Sequence, residues 1–388
     1  MAPTVKRGLV TTQTDLTNLM LDVSDAIDQL SPDETPMLDL IGKDSLWTAC
    51  TQLTHEWLED ELKPRAGTLG AAYVAGSGSL QVAAGEGKYL LPDDTILVGD
   101  TVLRVTGGAP SGDVLAVSVI GSSVDAAAAS GATWTKLAHA AQEAGMARTD
   151  SAKTVVARPF NYTQIFKDWT SISGTMKNIR RYGYASEWSY QVEKLLKSLA
   201  IDFELAALYG IRSSVIDNGT RKSTMGGLFD YIYLAATTAA TQWPTVMDAL
   251  GADLTETLLN DCLQYIWEKG GYPDTVMVNG YNKRVVNSWG SPRIRTGRDE
   301  KTAGNTIATY ESDYGDLSIM KNRWLRKGDV VILTKSEIGI GPLTGRMFSS
   351  RMLPTTQDGD WYEILGEYTM EVHKPTVCHG WIYNTSYK

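Results

Sequence analysis

His55 and Glu56 begin the pattern of a helical zinc site, in which a second histidine four residues after the first places both imidazoles on one helix face. Glu59 stands at that position instead, so the pattern is incomplete. His373, Cys378 and His379 are the other cluster of metal-ligating types. On an alternating strand His373 and His379 share one face and Cys378 takes the other, which predicts no metal. Gly339, Gly341 and Gly345 depart from G-x-G-x-x-G, with no helical pattern behind them to offer its N-terminus to a phosphate. The run from Gly107 to Gly112 lacks the Gly-Lys-Ser ending of a phosphate loop. There is no G-x-S-x-G elbow, and four histidines leave a nucleophile short of bases. A glycosidase needs two carboxylates across a cleft, and eleven tryptophans would suit a sugar groove, yet nothing in the spacing sets an acid pair. Runs such as Glu59, Asp60 and Glu61 read as a solvated face. The chain is read as no enzyme, with no catalytic residue, cofactor or metal.

The elements around these residues belong to a globular protein. At 388 residues, with 43% hydrophobic and 21% charged side chains, the chain exceeds one ordinary core and predicts two or three lobes. No run approaches the roughly 20 apolar residues of a membrane span. Lys6 and Arg7 have no apolar stretch behind them, which points to a cytosolic product. Cys50, Cys262 and Cys378 are scattered and read as buried thiols. A net charge of -9 runs against a dedicated nucleic-acid binder. The tightest basic cluster, Arg293, Arg295, Arg298 and Lys301, reads first as a solvated loop and second as a subunit or polyanion contact.

Leu16, Leu19, Met20, Val23, Ile27 and Leu30 form one helical stripe, closed by Ser31-Pro32. A short second set, Met37, Leu38, Leu40 and Ile41, stops at Gly42. Residues 51–62 are charged and extended around Trp57, and residues 158–169 are similar, so the two predict the strands of one long hairpin. Between them, residues 66–150 turn to Gly, Ala, Ser and Val, with β-type runs at 79–82, 95–105, 114–120 and 133–137. That is the spacing of an inserted all-β module. The clearest helix spans residues 185–209, with Trp188, Val192, Leu195, Leu196, Leu199, Phe203, Ala206 and Ala207 on its apolar face and Gly210 after it. A second helix covers 254–269 and stops at Gly270-Gly271, followed by a strand at 275–278 and a helix at 281–289. Further strands fall at 317–321, 329–334, 337–340 and in a series from 361 to 383. The fold class is α+β.

This order resembles the Hong Kong 97-type fold of tailed-bacteriophage major capsid proteins, in the subgroup with a β insertion in the extended loop. Thr35-Pro36-Met37-Leu38-Asp39-Leu40-Ile41-Gly42 is similar to an element near the start of that subgroup. So are residues 161–166, residues 171–175 before the long helix, and residues 273–279. The resemblance implies an N-terminal arm (1–48), an extended-loop hairpin (49–65 and 151–175) and an inserted β module (66–150). It further implies a peripheral domain (176–244 and 351–388) with a spine helix at 185–209, and an axial domain (245–350). It implies a structural protein of the virion, made in the cytoplasm of a bacterial host, that assembles with itself into hexamers and pentamers around double-stranded DNA. A portal and a possible decoration protein would be partners, with no membrane. Because the sequence opens at Met1 without a scaffolding segment, a separate scaffolding protein or none is expected. Inter-subunit contact is expected from Leu16, Leu19, Val23 and Ile27 on the arm and from Trp57, Phe160, Tyr162 and Phe166 on the hairpin. Arg293, Arg295 and Arg298 complete the set. A cell-surface or polysaccharide-binding β-rich protein is the alternative reading.

Overall fold

A computed structural model of the chain describes residues 34–42, 50–107, 112–139, 154–179, 187–238, 245–289, 294–296, 307–354 and 358–387. The stripe from Leu16 to Leu30 lies outside them. In chain order come helix α1 (Pro36–Gly42), strand β1 (Thr54–Glu56), β2 (Ala66–Thr68), β3 (Ser79–Gln81), β4 (Asp94–Val98), β5 (Thr101–Gly107), β6 (Val114–Val119) and β7 (Thr133–His139). Next are β8 (Phe160–Tyr162), β9 (Gln164–Ser173), α2 (Gly174–Asn178), α3 (Glu187–Tyr209), β10 (Ser213–Asp217), β11 (Thr220–Thr224) and α4 (Leu228–Thr238). Then follow β12 (Val246–Asp248), α5 (Glu256–Glu268), β13 (Thr275–Val278), α6 (Gly280–Ser288), β14 (Ile294–Thr296), β15 (Ile307–Ser312) and β16 (Gly315–Lys321). The last are β17 (Val330–Leu333), β18 (Ile338–Pro342), β19 (Ser349–Leu353), β20 (Gly359–Val372) and β21 (Gly380–Tyr383).

Two compact units divide this chain, Leu58–Pro159 and the remainder. The smaller one holds β2 to β7 in the order β2-β7-β4-β5-β6-β3. A bridge between Leu69 and Val82 joins the outermost strands, so the sheet closes into a barrel. Closure requires Gly70, because a Cβ there would stand 2.6 Å from the Val82 carbonyl oxygen. Alternation puts Leu80, Ile96, Leu103, Leu115 and Trp134 inside the barrel. The run expected at 95–105 splits into β4 and β5 because Gly99 takes a positive φ of 58° and turns the chain. The unit is wider than residues 66–150, since the two segments leading to the barrel touch each other, Glu59 bridging Ala157.

The larger unit has two apolar cores. In the first, α3 lays Leu199, Phe203, Ala207 and Leu208 against α1, α4 and the apolar face of β20. Leu196, expected on that face, is 46% exposed. Helix α1 docks by more than its apolar side chains. Pro36 occupies its first turn, where a missing N–H costs nothing. The buried Glu204 carboxylate of α3 accepts from the Met37 and Leu38 N–H groups, each at 2.9 Å, and from the Asn322 amide at 2.7 Å. Burial raises this carboxyl above its ordinary range, and those three donors act against the rise.

The second core lies between α5, α6 and a seven-stranded mixed sheet ordered β12-β21-β17-β13-β16-β15-β14. Helix α5 is capped by the Thr255 hydroxyl and followed by Gly270 at a φ of 91°. All four residues of β13 are buried, as their uninterrupted apolar run requires. Among the described residues no helix is long and apolar enough to cross a membrane.

Four sequence expectations are corrected. The second hairpin segment does not run the length of the first: β1 and β8 pair over three residues, and β9 instead pairs with β20 over ten. The stretch around Arg295, expected as a loop, forms β14, whose backbone pairs with β15. Residues 351–388, expected in one lobe, divide, because β20 joins a sheet with β9, β18 and β19 while β21 pairs with β17 and β12. The alternation from His373 to His379 breaks because Lys374 adopts a positive φ of 44° and starts a turn.

Replacing Glu204 with Ala leaves two buried donors and one half-buried donor unmet, so the subunit should lose about 3 kcal/mol in urea unfolding. A loss below about 1 kcal/mol would mean that α1 holds by apolar contact alone.

Candidate functional site

The hairpin root, where β1 and β8 leave the larger unit, rests on β20. That strand is two-sided. Ile364, Tyr368, Met370 and Val372 point into the core, and the alternate positions carry Glu363, Glu367 and Glu371, four residues apart on one face and all buried. A buried carboxylate is costly unless cations and donors meet it, and each of the three has two partners, at least one of them from another segment.

Glu363 forms ion pairs with Lys167 of β9 and, at 2.6 Å, with Arg351 of β19. The Lys167 hydrogen bond holds its carboxyl below the ordinary range, with Arg351 adding to the effect against burial. Glu367 accepts the Thr163 hydroxyl at 2.6 Å and pairs with the Arg346 guanidinium at 2.7 Å. Glu371 binds His55 through one oxygen and His373, at 2.9 Å, through the other. Burial alone would raise the Glu371 carboxyl, but the hydrogen bonds from His373 and His55 outweigh it and bring it to about 2. His55 also bonds the side chain of Cys50, and that contact, followed by Glu371, pushes its imidazole up to about 10 against the cost of burial.

Other contacts hold the root from its remaining sides. Asn161 is fully buried: its amide donates to the Gly226 and Met370 carbonyls at 3.0 and 2.7 Å, and its oxygen accepts the Gly226 N–H at 2.7 Å. The Arg212 guanidinium donates to Asp230 at 2.8 Å and to the Phe160 carbonyl at 3.1 Å, and it lies over the Tyr231 and Phe160 rings. Tyr231 donates to the same carbonyl at 2.9 Å.

The residues expected to touch neighbours fall into three groups. Trp57 is buried among His55, Tyr231 and His373, and Phe166 is buried with its ring tilted against Phe203, so neither side chain offers area to another molecule. The expectation for them is corrected, because each completes the apolar core beneath the root. Phe160 and Tyr162, 5.5 Å apart between ring centres, remain partly at the surface. Leu16, Leu19, Val23, Ile27, Arg293 and Arg298 lie outside the described residues, and Arg295 is placed by its backbone alone. Missed at the sequence level were Glu363, Glu367 and Glu371, whose four-residue spacing in an alternating strand was the available signal. Arg212 and Asn161 carried none, being assembled from distant segments.

His55 and Glu371 give stability a defined pH window. His55 is raised, so its contribution is full below its ordinary 6.5 and fades as pH climbs through about 10. Glu371 is depressed, so its contribution is full above its ordinary 4.5 and fades as pH falls through about 2. Replacing His55 with Gln keeps a donor without the charge. The variant subunit should be about 2 kcal/mol less stable near pH 6 in urea unfolding, and the deficit should shrink toward pH 10. A deficit that stays constant over that range would contradict a charged His55.

Comparison with known proteins follows the same architecture. No curated protein matches the sequence. The fold is similar to a chain in the capsid of a native GTA particle, with a TM-score of 0.53 and 9% identity over 95% of this chain and 96% of that one. A chain of Microbacterium phage Oxtober96 is similar at a TM-score of 0.50 and 11% identity, over 96% and 98% of the two chains. At such identities the likeness concerns the fold, which is the Hong Kong 97-type arrangement. Residues 9–386 match the family described as the SU10 major capsid protein. Since that match spans nearly the whole sequence and takes in the hairpin root, both cores and β21, this chain belongs to the SU10 major capsid protein family.

Proposed function

We propose that the chain is the repeating subunit of an icosahedral phage head, assembling with itself into hexamers and pentamers around double-stranded DNA. The carrying observation is the family match over residues 9–386, to which the two-unit architecture adds support. In this reading its work is assembly, with no reaction and no cofactor. Many modest contacts repeated around a closed lattice sum to a stable wall.

The geometry supports a division of labour. The hairpin root is held by charge pairs and by the bonds of Asn161. The two segments beyond it carry apolar side chains in water, among them Leu58, Leu62 and Val155, the last two 95% and 89% exposed. Such area is what a neighbouring subunit would cover. Phe160 and Tyr162 would join that contact. The arm with Leu16, Leu19, Val23 and Ile27 would lie on another neighbour, and the basic stretch of Arg293, Arg295 and Arg298 would meet an adjacent copy at a capsomer axis. The barrel would serve as the inserted module, capping the hairpin or receiving a decoration protein. A portal would be a further partner, and assembly would take place in the bacterial cytoplasm. A net charge of -9 suits a wall that confines DNA without binding it.

Purified protein, co-expressed with its neighbouring genes, should form closed shells in negative-stain images. Discrete monomers under every such condition would end the proposal. Removing residues 58–159 and joining Trp57 to Phe160 by a short turn should leave a folded larger unit that assembles poorly. An unfolded product, judged by loss of a cooperative thermal transition, would mean that the barrel is no independent insertion.

A further inference from the structure

Strands β10 and β11 form a two-stranded sheet that no third strand joins among the described residues. Its turn is Asn218-Gly219 with φ of 48° and 74°, the left-handed pair that closes a tight hairpin. The base is well held: the Thr224 hydroxyl donates to the Ile211 carbonyl at 2.7 Å, and the Ser223 hydroxyl donates to the Thr163 carbonyl at 2.6 Å. Above that base, every residue of β10 and all but Ser223 of β11 are exposed. An isolated pair of strands is marginal in water. This one also exposes Val215 and Ile216 beside the cations Arg221 and Lys222. Arg221 reaches the Ser214 hydroxyl at 2.9 Å and lies over Tyr162, and Lys222 pairs with Asp217, both in solvent. Exposed pairs of that kind contribute little, so these charges can be re-partnered at small cost.

The smaller unit carries a surface of matching character. Asp60 and Glu61 are exposed there, and they are flanked by Leu58 and Leu62, 66% and 95% exposed. One surface is aliphatic with positive charge, and the other is aliphatic with negative charge. Each exposes apolar area of the kind that an assembling subunit covers.

We propose that the β10–β11 hairpin of one subunit is a docking prong for a second copy of this chain, seating against that copy's acidic segment at residues 58–62. Val215 and Ile216 lie against the leucines, and Arg221 and Lys222 pair with Asp60 and Glu61. The contact joins different patches of two copies, so it repeats head to tail and closes as a ring. DNA is the weaker occupant for the prong, because a phosphate-binding surface relies on accumulated cations and gains nothing from exposed Val and Ile. This inference rests on the shell reading and adds to it which surfaces meet.

A charge exchange tests it in the full chain. Reversing the prong (Arg221→Glu with Lys222→Glu) or the acidic segment (Asp60→Lys with Glu61→Lys) should each reduce the fraction of protein sedimenting as shells by about tenfold. Combining the four substitutions should restore it to within about twofold of the wild type. Thermal unfolding of the unassembled variants should match the wild-type subunit, because all four side chains are in solvent. In wild-type shells, amide exchange across residues 213–224 should slow relative to the free subunit. Single reversals that assemble normally overturn the proposal, as does a combined variant that assembles no better than its parents. So does a prong reversal that changes only DNA retention. Wild-type shells whose prong amides exchange as in the free subunit defeat this inference alone, whereas a wild-type chain that never forms shells defeats the shell reading with it.

Discussion

Three carboxylates on one face of β20 must be buried, and a buried charge has to be met by opposite charge or by hydrogen bonds. That requirement organises the larger unit. Lys167 brings β9 to Glu363, Arg351 brings β19, Thr163 and Arg346 converge on Glu367, and His55 brings β1 to Glu371. The partners come from three stretches of chain, residues 163–167, residues 346–351 and His55. Displacing any one segment would strand a charge, so the positions of the hairpin root, β9 and β19 are coupled through a single strand. The opposite face of β20 is apolar and sits on the spine helix α3, which couples the same segments to the core.

For a shell protein this coupling has a mechanical meaning. The charge pairs and the bonds of Asn161 at the hairpin root depend on direction as well as distance, so any hinging there would break polar contacts along with apolar ones. The barrel treats its edges differently from the β10–β11 hairpin. The Leu69–Val82 bridge links the ends of β2 and β3, whereas among the described residues β10 and β11 each keep an unpaired edge.

Individual residues show why some features were readable and others not. Helices α3 and α5 announced themselves through a 3.6-residue apolar period, and β13 through its uninterrupted apolar run. Glu204 was invisible, since one acid on a helix face carries no sign that it will cap the N-terminus of α1. His55 drew notice through an incomplete zinc pattern, although its actual partners, Cys50 and Glu371, are 5 and 316 residues away. Residues 211–238 showed no clear period: α4 is nearly uniformly apolar, and the β10–β11 hairpin is exposed on both faces, so neither alternation nor amphipathy marks it.

Local chemistry alone therefore determined the mixed α+β class, the spine helix, the sequence position of the β module and the absence of a recognisable catalytic pattern, because periodicity and turn residues act over a few positions. The tertiary structure decided which strands pair and which charges meet. The segment expected to extend a hairpin lies along β20 instead, and the C-terminal strands part between two sheets. Those outcomes depend on energies between residues hundreds of positions apart, where burying Glu363, Glu367 and Glu371 is possible only if the right cations arrive together.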